Sequence, residues 1–205
     1  MSKLGFTVPP GRAGRLWLTR RLGVARRGAD LLDRKLRILQ RELPGLSANA
    51  ARAARNWERY AAEADQWLVR AALLGGQRTI RLASNDARAE VDVTYAATVG
   101  VRHPAACTLT FSPPEGWAGP AIAEARHAHQ AALQAAARSA VASAALRIME
   151  AESATTRMRL RAVRDRWIPL LEQARTEVML AIDEQERADT ARLRLAAGKR
   201  DRRRS

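Results

Sequence analysis

Arginine and lysine are the residues here whose type and spacing could act on another molecule. The 205 residues hold 36 of them against 21 Asp and Glu, a formal net charge of +15. The surplus lies at the two ends. Residues 1–41 carry eleven basic groups against two acidic, residues 157–205 fourteen against eight, and residues 42–156 eleven of each. Exposed guanidinium and ammonium groups make contacts worth about 0–1 kcal/mol each, which suits reversible contact with an acidic or carbonyl-lined surface rather than bond making. Other candidates for chemistry are weaker. Gly75-Gly76-Gln77-Arg78-Thr79 lacks the Gly-Lys-Ser/Thr of a phosphate-binding loop and reads as a helix terminator. His127 and His129, two apart on an expected helix, point to different faces and make poor joint metal ligands. His103 precedes Pro104 in an expected loop, and Glu184, Glu186 and Asp189 read as solvated or paired with Arg187 and Arg192. Cys107 is the single cysteine, which excludes a disulfide framework; its register with Leu109 and Phe111 makes it a small buried hydrophobe. No nucleophile–base pair, metal cluster or nucleotide cradle emerges, so the expectation is a chain with no catalytic site, metal or cofactor of its own.

The elements that would carry the basic groups are long helices. Leu18, Leu22, Ala25, Ala29, Leu32, Leu36, Leu39 and Leu43 step by alternate fours and threes, the seam of a left-handed coiled coil. Arg20, Arg27, Arg34 and Lys35 stand outside that seam. Val8-Pro9-Pro10-Gly11 is an extended leader, so the helical arm covers 12–74, with a break or sharp kink expected at Pro44-Gly45 and a stop at Gly75-Gly76. A second helix is expected over 120–197, where Pro169 is the only Gly or Pro after the first residue; 78 residues would span about 117 Å. Its seam runs through Thr156, Leu160, Val163, Trp167, Leu171, Ala174, Val178 and Ala181, then turns polar at Gln185 and Arg192. Two consecutive four-residue steps at 163-167-171 form a stutter, and Pro169 beside it predicts a bend. Gly198 reads as a helix stop before a basic tail over 198–205.

Between the helices, residues 78–117 change period. Val91, Val93 and Tyr95, then Cys107, Leu109 and Phe111, alternate with polar residues, which predicts a small β-hairpin or meander followed by a Pro-Pro loop. The five tryptophans read as packing residues at kinks and junctions. Residues 1–6 lack an apolar h-region, and no run reaches the 18 apolar residues of a membrane span. The expected fold class is mostly α: a long antiparallel two-helix coiled coil of the N- and C-terminal helices, with a small β-hairpin insert. If the chain ends lie level, residue numbers across the pair should sum to about 210, placing Leu32 near Val178, Leu36 near Ala174 and Leu43 near Trp167.

Several runs resemble the D subunit of V-type and A-type rotary ATPases. They are Pro10-Gly11-Arg12, the stretch Leu22-Gly23-Val24-Ala25-Arg26-Arg27-Gly28-Ala29-Asp30-Leu31-Leu32-Asp33-Arg34-Lys35, Thr155-Thr156-Arg157, Trp167-Ile168-Pro169, and Glu184-Gln185-Glu186-Arg187-Ala188-Asp189-Thr190-Ala191-Arg192-Leu193. Pro44-Gly45 departs from the family's continuous first helix. The resemblance implies a central rotor shaft, peripheral to the membrane, that carries torque between a catalytic hexamer of A and B subunits and a membrane ion-translocating ring. It implies the F subunit and a C (d-type) socket subunit as further partners. The hexamer-facing tip would then include Arg20, Arg27, Arg34, Lys35, Arg192 and Arg194.

A different class stays open: a basic coiled-coil protein that associates with nucleic acid or acts as a scaffold. An isoelectric point near 11.5 flags that reading. No zinc-ligand spacing or recognition-helix turn supports it, and many of the basic residues flank a seam. Such a protein would bind DNA in a salt-sensitive way and form a parallel dimer. An enzyme with its site in the β segment is the third class, but 35 residues are too few to enclose a pocket.

Overall fold

The computed structural model describes residues 7–83, 88–113 and 119–202, with side chains to residue 197. In order these form α1 (Gly11–Ala83), β1 (Glu90–Thr98), β2 (Val101–Thr110), α2 (Pro120–Arg161), one π-helical stretch (Ala162–Trp167) and α3 (Ile168–Arg202). The chain is mostly helical, long helices pack against each other, and a two-stranded antiparallel hairpin lies between them in sequence. It divides into two compact units, one of residues 1–35 and 156–205, the other of residues 36–155.

The first unit is a helix pair. Leu18, Leu22 and Ala25 of α1 pack with Leu171 and Ala174 of α3, flanked by Val8, Trp17, Val163, Trp167, Ile168 and Val178. Alanines at 25 and 174 keep that seam thin, so the leucines on either side reach the facing helix. Ala29, Leu160 and Thr156 are buried, and Leu32 is half-buried. Three cross-helix ion pairs fix direction and register: Arg12 with Glu186 at 2.8 Å, Arg26 with Glu172 at 2.6 Å and Arg164 with Asp33 at 3.9 Å. As the first number rises the second falls, so the helices are antiparallel, and the numbers sum to 197 or 198. The level-ended alignment is therefore displaced by about three turns of helix. Its cause is an overhang: Arg12 in the first turn of α1 already meets Glu186, and α3 continues to Arg202. Ala174 consequently packs among Leu18, Leu22 and Ala25, where level ends would bring Leu36.

The seam ends earlier than the alternation of threes and fours implies. Ala181 is exposed, Ile182 takes the half-buried place, and every residue from 183 to 197 is exposed. Gly198 does not stop the helix, which runs through it. At the stutter the backbone adopts a π-helix, with the Ile168 N–H bonding to the Val163 carbonyl oxygen five residues back. Pro169 cannot donate to the Asp165 carbonyl, and in a regular α-turn its ring would crowd that oxygen. A widened turn just before the proline accommodates both the ring and the extra step of the seam.

The second unit holds the rest of α1, the hairpin and most of α2. Leu39 and Met149 are fully buried together with Val101 of β2, with Leu43 and Leu46 around them. Farther on, Ala71 packs against Ile122 and Ala125, again antiparallel, beside Trp67. α1 continues through Pro44-Gly45 without non-helical dihedrals. The missing proline N–H frees the Gln40 carbonyl, but Gln40, Pro44 and Gly45 are all on the exposed side, where water can take its place. Leu39, Leu43 and Leu46 bury the opposite face across the same turns. That burial holds the helix against a proline cost of about 3 kcal/mol. The interruption comes instead at Gly76 (φ 71°, ψ 162°), in the left-handed half of backbone space that glycine enters without a Cβ clash. Helix then resumes to Ala83, so residues 78–83 are helical rather than part of the β segment. Arg126 donates to the Ala83 carbonyl at 3.2 Å and closes that end.

In the hairpin, Val99 (φ 51°) and Gly100 (φ 78°) form the two-residue turn. The register shifts between Thr94 and Tyr95, where Ala105 has no partner and β2 bulges. His103 lies in β2, not in a loop. It is buried, its Nε2 3.2 Å from the Thr98 hydroxyl and its Nδ1 3.3 Å from the Pro104 carbonyl oxygen. Trp117 and the Pro-Pro loop from Pro114 on lie outside the described residues.

Candidate functional site

The arginines of the first unit divide into those held by the helix pair and those left to solvent. Arg12, Arg26 and Arg164 are held by carboxylates on the opposite helix. Arg21 is held differently. Its guanidinium carbon lies 5.0 Å from the Trp17 ring centroid and 5.6 Å from that of Trp167, so one cation bridges an indole from each helix. Trp17 and Arg21 are one turn apart, and Trp167 closes the π-helical stretch. The spacing of 17 and 21 was visible in the sequence; the third partner depends on the register and was not.

Arg20, Arg27 and Arg34 recur every seven residues on α1, so they share one face. All three are exposed and have no ion pair among the described residues. Lys35, next to Arg34, is half-buried and takes part in an interaction of its own. Arg192 and Arg194 lie on the overhanging part of α3. Arg192 reaches Asp189 one turn back at 3.2 Å, and Arg194 lines a shallow groove with Asp183, Glu186, Arg187 and Thr190. The structure therefore gathers Arg20, Arg27 and Arg34 into one row, while Arg192 and Arg194 sit among acidic neighbours.

These positions allow electrostatic contact. Among the described residues no three His, Cys, Asp or Glu side chains come together to hold a metal ion. His127 is exposed, and the Nδ1 of His129 lies 2.8 Å from the Ala125 carbonyl oxygen of its own helix. Among the described residues no helix is long and apolar enough to cross a membrane. Cys107 is half-buried rather than fully enclosed.

Compared with known proteins, residues 16–198 match the model of one family, that of the ATP synthase D subunit. That span includes nearly all of the helices and the whole hairpin. No curated protein shows a significant match to the chain.

Proposed function

Because the chain belongs to the family of ATP synthase D subunits, we propose that it is the non-catalytic central shaft of a V/A-type rotary ATPase. In this reading it transmits torque between the catalytic A/B hexamer and the membrane ion-translocating ring. The F subunit and a C (d-type) socket subunit are its other partners, and it sits peripheral to the membrane.

The observation that carries the reading is the helix pair of the first unit. Its inward face is largely apolar, with Leu18 and Leu171 fully buried, and its outward face carries a heptad row of arginines that have no ion pair among the described residues and alternate with the exposed Val24 and Leu31. A shaft must be stiff against twisting and must not settle at one angle. Burial and interdigitation along the seam oppose both separation and sliding of the helices, and the exposed cross-helix ion pairs add little to that. Long hydrated arginine heads make contacts of about 0–1 kcal/mol that exchange as the shaft turns, whereas a large apolar face would lock at one orientation. Arg20, Arg27 and Arg34 are the groups through which the hexamer would feel the shaft.

The test is reconstitution with the A/B hexamer and the F subunit. A functional shaft restores nucleotide-driven rotation of a bead attached to its far end. ATP hydrolysis that continues without rotation of the bead would reject the assignment. The nucleic-acid alternative rests on net charge alone.

A further inference from the structure

The second unit contains a cavity of about 560 Å³ between α1, β2 and α2, within the size range of small-molecule sites. Its origin is compositional. The facing stretch of α2 supplies alanines at 135, 142 and 145, α1 supplies Ala53, and the bulged part of β2 supplies Ala105 and Ala106. Side chains this short cannot fill the space between two helices and a strand.

Polar side chains reach the lining from all three elements, with Tyr60 on α1 and His103 on β2 among them. Asn49, Arg52 and Asn56 are spaced by three and four along α1, so they stand on one helical face, and Arg138 joins them from α2. All four are exposed, and none has a hydrogen-bond or ion-pair partner among the described residues. Among the described residues no aspartate or glutamate lines the cavity. Two permanent cations and two carboxamides thus border an alanine-lined hollow, and no carboxylate among the described lining residues neutralises them. Guanidinium forks match carboxylate and phosphate oxygens in pairs, and each such charge-assisted contact is about twice as strong as a neutral one.

We propose that this cavity binds a small organic anion, a carboxylate or phosphate ester, with its charged end on Arg52 and Arg138 and its apolar body against the alanines. The site lies wholly within the second unit, so the proposal stands or falls separately from the rotor assignment.

Cys107 lines the same cavity and is the only cysteine in the chain, so its alkylation reports occupancy at one place. The experiment measures the rate at which N-ethylmaleimide labels the full chain with citrate, AMP, inorganic phosphate or sodium chloride at matched ionic strength. Saturable slowing by citrate or AMP beyond that of chloride is the expected result. Comparing AMP with inorganic phosphate tells whether the body of the ligand contributes or the phosphate alone. Arg52→Ala with Arg138→Ala should weaken the protecting anion by about tenfold or more, the loss expected for charged hydrogen bonds. Ala142→Leu, which fills the cavity and leaves both arginines in place, should abolish protection while helix content stays unchanged. Slowing that chloride reproduces would be screening alone and would overturn the proposal. So would protection that survives either set of substitutions, or no protection by any of the anions.

Discussion

Leu18 and Leu171 are each 0% exposed and belong to the same buried cluster of the helix pair, so every methyl group on them is in contact with protein. Leu171→Ala should cost about 3 kcal/mol, within the range for a buried leucine whose cavity cannot collapse, because the alanines beside it have nothing to extend into the gap. Chemical denaturation followed by circular dichroism measures it; a loss below about 1 kcal/mol would mean that the helices close the gap by moving together. Gly14 offers a second residue-scale test. A Cβ there would stand 2.0 Å from the Pro9 carbonyl oxygen and 3.2 Å from a Val8 methyl, so the leader folds against the first turn of α1 only because position 14 has no side chain. Gly14→Ala should displace residues 8–10 and take Val8 off the seam. Although alanine is the better helix former, we expect a net loss of about 1 kcal/mol, because the clash is with backbone. Unchanged or raised stability would show that the leader gives way at no cost.

At the scale of elements, the hairpin turn invites substitution. Val99 holds φ 51°, a conformation that crowds a β-branched side chain, in a two-residue turn that favours Asn-Gly. Val99 is 40% exposed, so little packing is lost in Val99→Asn. That variant should stabilise the hairpin by about 0.5–1 kcal/mol, read as slower amide exchange in 90–110 with no change in the helices. How far the elements could be read in advance follows the same physics. The seam from Leu18 to Ala29 was legible because its periodicity is a local property of the chain. The hairpin was legible because β-branched residues alternate over several positions. Pro44 misled because its cost depends on which side of the helix it faces, and that side is set by what Leu39, Leu43 and Leu46 pack on. The π-helical stretch announced itself as two four-residue steps beside a proline, but the form of the accommodation is a backbone choice that periodicity does not encode. Register was missed for a different reason. Level ends are an assumption about the chain as a whole, whereas 12 with 186, 26 with 172 and 33 with 164 were opposite charges whose constant sum could have been found by scanning pairs. The cavity was beyond such reading, since it depends on small residues from three separated segments meeting.

At the scale of the whole molecule, the question is whether the basic surplus acts as general charge or through the row on α1. Arg20, Arg27 and Arg34 separate the two, because they are exposed and have no ion pair among the described residues, so reversing them costs the fold little. Arg20→Glu with Arg27→Glu and Arg34→Glu changes the net charge from +15 to +9. Circular dichroism and melting should stay close to the parent. If the row meets acidic or carbonyl-lined loops of the hexamer, three repulsive contacts replace three weak attractive ones. Rotation per ATP hydrolysed should then fall by several-fold in the reconstituted complex. Raising salt should partly restore it, because screening weakens repulsion between exposed charges over a Debye length of about 8–10 Å. A control removes the same charge elsewhere: Arg55→Glu, Arg78→Glu and Arg147→Glu change exposed residues of the second unit that do not line its cavity and should leave coupling near the parent value. Equal losses from both triples would mean that net charge, not its placement on α1, governs the interaction. No loss from either would mean that torque passes through the apolar and backbone contacts of the shaft, and the row of arginines would then serve only to keep the shaft wet.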